Sequence, residues 1–271
     1  MPDTFERRMD YSRVLDSMRR VGDAWRIDVP EDWLQGRTLF GGLQLALAIR
    51  AMRRVVGPNL PLRSAQATFT GPLASRDIEV QARVLRVGKT ITHAQCDLRQ
   101  DGNNGLTAIA IFGAPRRSTF ALDIPRPQVG IDPESLVDLP PIPGITPQFV
   151  RHIQLRWAIG TPPYTGQPEP RSTIFARLRD RQCTPEDAVI ALADSIPTPV
   201  LSMLHAPAPA SSLNWMLEMV GDPAQLDRER WCQIGTEVRA GADGYLSQSS
   251  VLWGPDGHAL SISHQSVAIF A

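Results

Sequence analysis

Between residues 78 and 100 the chain alternates apolar and polar side chains with a period of two. Ile78, Val80, Ala82 and Val84 fall on one face and Glu79, Gln81 and Arg83 on the other, which predicts a half-buried strand. The alternation slips at Leu85, as a β-bulge makes it do. After a turn at Gly88-Lys89, Ala94, Cys96 and Leu98 alternate with His93, Gln95, Asp97 and Arg99, predicting a strand over 90–99. A polar, Gly-rich turn over 101–105 leads into 106–112, apolar on both faces. Upstream, 62–73 has strand character, and 40–56, opened by Gly41-Gly42, predicts a helix. Residues 43–48 of that helix read Leu-Gln-Leu-Ala-Leu-Ala, apolar nearly all round. Arg50, Arg53 and Arg54 are held back to its C-terminal half, where they suit the helix dipole. A helix apolar on every side must be enclosed on every side, and a long antiparallel sheet curled around it does that. Burying each Leu is worth roughly 1.5–3 kcal/mol, so exposing several is untenable.

The same order of elements then returns. Thr184-Pro185-Glu186-Asp187 predicts an N-cap, a proline at the first helical position and acids in the first turn. That helix should run over 188–195 and stop near Pro197 and Pro199. Strands are predicted over 211–220, 232–240, 245–253 and 259–270, and the turns Asp101-Gly102 and Asp256-Gly257 correspond in the two halves. Residues 114–150 hold eight prolines and predict a linker without long regular structure. Residues 151–158 and 172–179 predict strands introducing the second half, separated by a loop marked by Pro162-Pro163 and Pro168. The expected plan is an N-terminal repeat over 1–113, a linker over 114–150 and a C-terminal repeat over 151–271.

Composition narrows the function. The 271 residues carry 28 Lys+Arg against 28 Asp+Glu, and this balance argues against a dedicated nucleic-acid or anionic-membrane binder. Cys96, Cys183 and Cys232 are odd in number and lack metal spacing, so neither a disulfide framework nor a zinc site is expected. His93, His152, His205, His258 and His264 show no ligand pattern, and no metal or cofactor is expected. Neither a G-x-G-x-x-G nor a P-loop occurs, and the lack of a G-x-S-x-G elbow disfavours a serine hydrolase. No apolar run approaches about eighteen residues, so no membrane span is expected. The start of the chain, with Asp3, Glu6, Arg7, Arg8 and Asp10, lacks the apolar core of a signal peptide, which makes the cytoplasm the expected compartment.

Two segments carry a resemblance. Thr38-Leu39-Phe40-Gly41-Gly42-Leu43-Gln44 resembles the FGG entry to the central helix of the acyl-CoA thioesterase II (TesB-like) family. Leu260-Ser261-Ile262-Ser263-His264-Gln265-Ser266 resembles that family's closing strand, V-A-S-x-x-Q-E-G. The order of elements is similar from about residue 25 to the end. The resemblance implies an α+β double hotdog, in which two tandem hotdog repeats each wrap a long helix in a curved antiparallel sheet. It also implies hydrolysis of a fatty or related acyl-CoA to free acid and CoA, and pairing of copies into a homo-oligomer. Of the family's water-holding residues, the helix carboxylate falls on Asp194 and the terminal-strand amide on Gln265. The strand hydroxyl falls on Ser212, where the family usually has Thr. Asn214 and Ser266-Val267 depart from the family's Asp and Glu-Gly.

The chemistry is consistent with those roles. Asp194 follows the apolar run 188–193, which predicts partial burial and a pKa raised toward that of a general base. The helix N-terminal amides around Gly41 and Gly42 suit a thioester carbonyl or oxyanion and are the expected substrate-binding residues. Taken singly, each residue also has a plain structural role. Asp194 can be a solvated helix end, Ser212 a locally bonded hydroxyl with Ser211 its equal by position, Gln265 an outward strand residue, and the glycines packing points. Two other functions stay open: a non-catalytic acyl-thioester binder, and an enoyl-thioester hydratase. The hydratase needs an Asp/His pair, and no His lies near residues 40–56. Trp215, Trp231 and Trp253 are expected in the core or lining an acyl tunnel.

Overall fold

The computed structural model describes residues 9–271; the beginning of the segment read for a leader, residues 1–8, lies outside the described residues. The first half opens with a short helix α1 (Tyr11–Asp16), strands β1 (Arg19–Val21) and β2 (Ala24–Ile27), and a small hairpin of β3 (Leu34–Gln35) and β4 (Thr38–Leu39). Helix α2 (Gly41–Val56) follows, then β5 (Leu62–Phe69), β6 (Ile78–Val87), β7 (Ile91–Gln100) and β8 (Asn103–Gly113). The second half holds β9 (Ile153–Ile159), β10 (Arg171–Leu178), α3 (Pro185–Ala193), a short α4 (Val200–Met203) and β11 (Ala210–Met219). It closes with β12 (Cys232–Ala242), β13 (Tyr245–Trp253) and β14 (Ala259–Ile269).

Twelve strands make one sheet in the order β1-β2-β6-β7-β8-β5-β11-β14-β13-β12-β10-β9, with β5 against β11 joining the two halves. This is the expected double hotdog. Leu43, Leu45, Ala46, Leu47, Ala48 and Ile49 of α2 are completely buried against β6, β7 and β8. Helix α3 packs on β10, β13 and β14, and the two helices touch. Ion pairs tie them: Arg50 Nη2 lies 2.7 Å from Asp187 Oδ2, and Arg53 pairs with Glu186. The arginines that suit the α2 dipole therefore meet the acids that suit the start of α3.

Several expectations need adjusting. The strand expected to reach residue 73 stops at Phe69, because Gly71-Pro72 cannot continue the ladder. The turn expected over 101–105 is only Asp101-Gly102, both at positive φ (51° and 79°), the backbone of a two-residue hairpin. The slip at Leu85 is a register shift between Val84 and Arg86. Strands β1 and β2, too short for a periodic signal, lengthen the sheet at one edge.

The Pro-rich segment forms no strand, yet it is not loose. It straps the outer side of the second half, where Trp253 Nε1 donates to Ile124 O (2.8 Å) and Gln233 Nε2 donates to Pro127 O (3.0 Å). Arg156 pairs with Asp138 at 2.6 Å. Trp231 sits between the guanidinium groups of Arg156 and Arg177 and donates to Glu134. Trp231 and Trp253 thus serve the strap, whereas Trp215 lies wholly in the interior. The strap ends against the first half, where Phe149 stacks on Phe40 at 4.1 Å and His152 stacks on Trp33 at 4.0 Å. His152 Nε2 lies 2.9 Å from the buried Asp32 carboxylate.

Candidate active site

Helix α3 starts where the sequence dictates. Thr184 accepts the Asp187 N–H at 3.2 Å, Pro185 takes the first turn, and the apolar residues 188–193 are buried. The helix ends at Ala193, two residues before the predicted stop, which leaves Asp194 as its C-cap residue. There its side chain meets the start of α2 and the middle of β14. Gln265 Nε2 donates to Asp194 Oδ1 at 2.6 Å, and the Gly42 amide also donates to the carboxylate. Burial pushes the Asp194 carboxyl up to about 7, against the lowering effect of those two hydrogen bonds.

A third amide sets the second. Gln248 Nε2 donates to Gln265 Oε1 at 2.6 Å. With its oxygen engaged, Gln265 presents its NH₂ to Asp194, so the carboxylate faces a donor in a fixed orientation. Gln248 and Gln265 are direct cross-strand partners on β13 and β14, and Trp215 is the partner of Gln265 on β11. The sequence offered no sign of Gln248, because its partner lies 17 residues away and is set only by strand register.

Both glycines are spatially required. A Cβ at Gly41 would stand 2.6 Å from Asp194 Oδ2 and 3.2 Å from Phe69. One at Gly42 would meet the Phe40 ring at 2.5 Å and the Ala191 backbone at 3.4 Å, where the two helices cross. The Gly42 amide, expected to meet substrate, lies beside the Asp194 carboxylate.

Ser212 comes to the right face through an irregularity. The β11–β14 register shifts between Ser212 and Asn214, so Ser212 opposes Val267, two residues from Gln265 and on its side of the sheet. Without that shift, strand alternation from Trp215 would send Ser212 to the outer face and leave Ser211 within. Among the described residues, no hydrogen bond joins the Ser212 hydroxyl to Asp194 or Gln265. Asn214 accepts the Ser266 N–H at 3.2 Å, so the residues that depart from the family pattern bond to each other.

The carboxylate, its two donors and the neighbouring helix start lie where the two halves of the sheet join. A carboxyl of this kind takes a proton from water near neutral pH and returns it to a leaving group. Comparison with known proteins identifies the family of both halves. Residues 29–113 match the family model of the acyl-CoA thioesterase N-terminal domain, and residues 133–269 match that of the C-terminal domain. A conserved protein of unknown function with hot dog fold from Alicyclobacillus acidocaldarius superposes with a TM-score of 0.84 at 19% identity, covering 96% of this chain and 98% of that one. A candidate thioesterase II from Thermobifida fusca YX gives 0.78 at 19% identity, over 95% and 97%. A candidate thioesterase from Novosphingobium aromaticivorans gives 0.75 at 22% identity, over 94% and 99%. No curated protein matches the chain.

Proposed function

The chain belongs to the acyl-CoA thioesterase family, and from that premise we propose that it hydrolyses a fatty or related acyl-CoA to the free acid and CoA, with Asp194 as the base. The observation that carries the reading is the Asp194 carboxyl, held by Gln265 and Gly42 and poised at about 7. In its ionised form it takes a proton from a water molecule as that oxygen adds to the thioester carbonyl carbon. The carbon–sulfur bond then breaks, and Asp194 returns the proton to the departing CoA sulfur. Gln265 and Gly42 hold the carboxylate rotamer through both transfers, and the Ser212 hydroxyl takes the water's second hydrogen bond. Gly41, at the first turn of α2, lets the thioester approach the backbone, and the helix N-terminus favours the charge that develops on its oxygen. The proposal includes a homo-oligomer in the cytoplasm, with repeats over 1–113 and 151–271 and the linker over 114–150.

The test is the release of free CoA thiol from a panel of acyl-CoAs, compared between the wild type and Asp194→Ala. Release by the wild type and its loss in the variant support the reading. Equal release by both removes Asp194 from the mechanism. No release by the wild type, together with saturable binding of acyl-CoA, favours the non-catalytic binder.

A further inference from the structure

The balanced charge of the chain conceals an uneven placement. Adjacent strands run antiparallel, so the end of β6, the start of β7, the end of β8, the start of β5 and the end of β11 share one rim of the sheet. Register draws the line: Val87 opposes Thr92, Thr92 opposes Phe112, and Phe112 opposes Leu62. Three stretches meet there, 57–66, 80–96 and 113–122, and none contains an Asp or Glu. At the rim they carry Arg63, Arg86, Lys89, Arg116 and Arg117, all exposed, and among the described residues no ion pair neutralises any of the five. Arg63 Nε donates to Gly113 O at 2.9 Å and Arg116 Nη2 donates to Thr90 Oγ1 at 3.0 Å, which fixes both beside the β6–β7 turn. Acids begin only at β11 and beyond, with Glu218, Asp222 and Asp123. Of these, Asp222 caps the Ala224 N–H and Asp123 pairs with His258 at 2.6 Å.

The same rim exposes apolar side chains. Val87 is 74% exposed at the end of β6, and Leu85, two residues back, is exposed as well. The strap leaves the rim at Ala114, whose N–H donates to Thr90 O at 2.9 Å, and rejoins the sheet at Asp123, beside Ala259 at the start of β14. Between those anchors Phe120 is 76% and Leu122 92% exposed. These side chains stand singly on a hairpin tip and on the strap, with guanidinium groups between them. A stable protein partner needs a contiguous face of about 800 Å² a side, which separate tips do not offer. A nucleic-acid strand needs aromatic platforms for its bases, and Phe120 is the one aromatic side chain in the three stretches. A lipid surface fits the arrangement, because it deforms around separate apolar tips while basic heads meet its phosphates. Charge complementarity selects an anionic leaflet, where each Lys or Arg near the surface is worth about fivefold in binding.

We infer that this rim docks the protein reversibly on an anionic lipid surface, with Val87, Phe120 and Leu122 entering the headgroup layer and Arg86, Lys89, Arg116 and Arg117 meeting lipid phosphates. The inference does not rest on the role of Asp194, and its test reads binding without turnover. The whole chain is sedimented with vesicles of phosphatidylcholine alone and of phosphatidylcholine with phosphatidylglycerol, at low and at physiological salt. The wild type binds the anionic vesicles at least about tenfold more tightly than the neutral ones, and the difference shrinks as salt is raised. Arg86→Glu/Lys89→Glu/Arg117→Glu erases that ratio, and Val87→Ser/Phe120→Ser/Leu122→Ser weakens binding by about tenfold, both with the thermal melting profile of the wild type. Arg99→Glu, at the end of β7 on the opposite rim, binds as the wild type does. Equal binding to both kinds of vesicle, binding to neither, or an anionic preference that survives the triple charge reversal overturns the inference. So does an equal loss in Arg99→Glu, which makes the attraction one of net charge alone. Salt-sensitive retention on polyglutamate or nucleic acid without vesicle binding overturns it in favour of a polyanionic macromolecule.

Discussion

Replacing Asp194 by Asn separates the cost of the carboxylate from its use. The side chain keeps its shape, and its amide oxygen accepts from Gln265 as Asp194 Oδ1 does. What disappears is a charge in a poorly solvated place. The carboxyl titrates at about 7 in the folded chain against 3.8 when unperturbed, so its ionisation costs the fold about 4 kcal/mol. Asp194 is half-buried, and solvent screening leaves about 2–4 kcal/mol of this. Because the folded pKa is raised, the native state holds a proton that the unfolded chain has already lost between about pH 4 and 7. The contribution is fully present below about pH 4, falls as pH rises and is gone above about 7. Urea unfolding across this range is therefore expected to show Asp194→Asn within about 1 kcal/mol of the wild type near pH 4.5 and exceeding it by about 2–4 kcal/mol at pH 8. CoA release by the same variant should drop by about 10²–10⁴-fold. A variant less stable than the wild type at pH 8, or a stability difference flat across the range, would falsify the placement of a desolvated carboxylate at this position.

Four further outcomes are expected. Wild-type turnover should rise with pH with a midpoint near 7, since only ionised Asp194 accepts a proton, and the pH profile of kcat/KM reads this directly. Gly41→Ala drives a methyl group against the Asp194 carboxylate and should lower kcat by about 10²-fold, whereas Gln248→Met frees the Gln265 amide to rotate and should cost about tenfold; steady-state kinetics with undiminished rates for either variant would sever it from the site. His152→Ala strips the stacked ring from the wholly buried Trp33 and leaves a cavity between the two halves, a loss of about 2–4 kcal/mol in urea unfolding at constant pH.

Much of the architecture was legible because it follows from local rules. Period-two alternation located β6 and β7 and even the bulge at Leu85. The all-round apolar face of residues 43–48 required a wrapping sheet, and Thr184-Pro185 marked the start of α3. The short strands β1 and β2 were missed, having too few residues for a period to emerge. The tryptophans at 231 and 253 are buried as expected, but that their indole N–H groups bond to the strap was not legible from hydrophobic character alone.

By itself, then, the order of residues determined which segments become helix or strand and that the pattern occurs twice. These depend on neighbours within a few positions. Tertiary structure decided what the site is made of. The meeting of Asp194 with Gln265 and Gly42, the support from Gln248, and the shift that turns Ser212 inward all depend on strand register and helix crossing. A register is fixed by the summed packing of whole faces, and one residue of slip exchanges inside for outside. No single stretch of the chain holds that information.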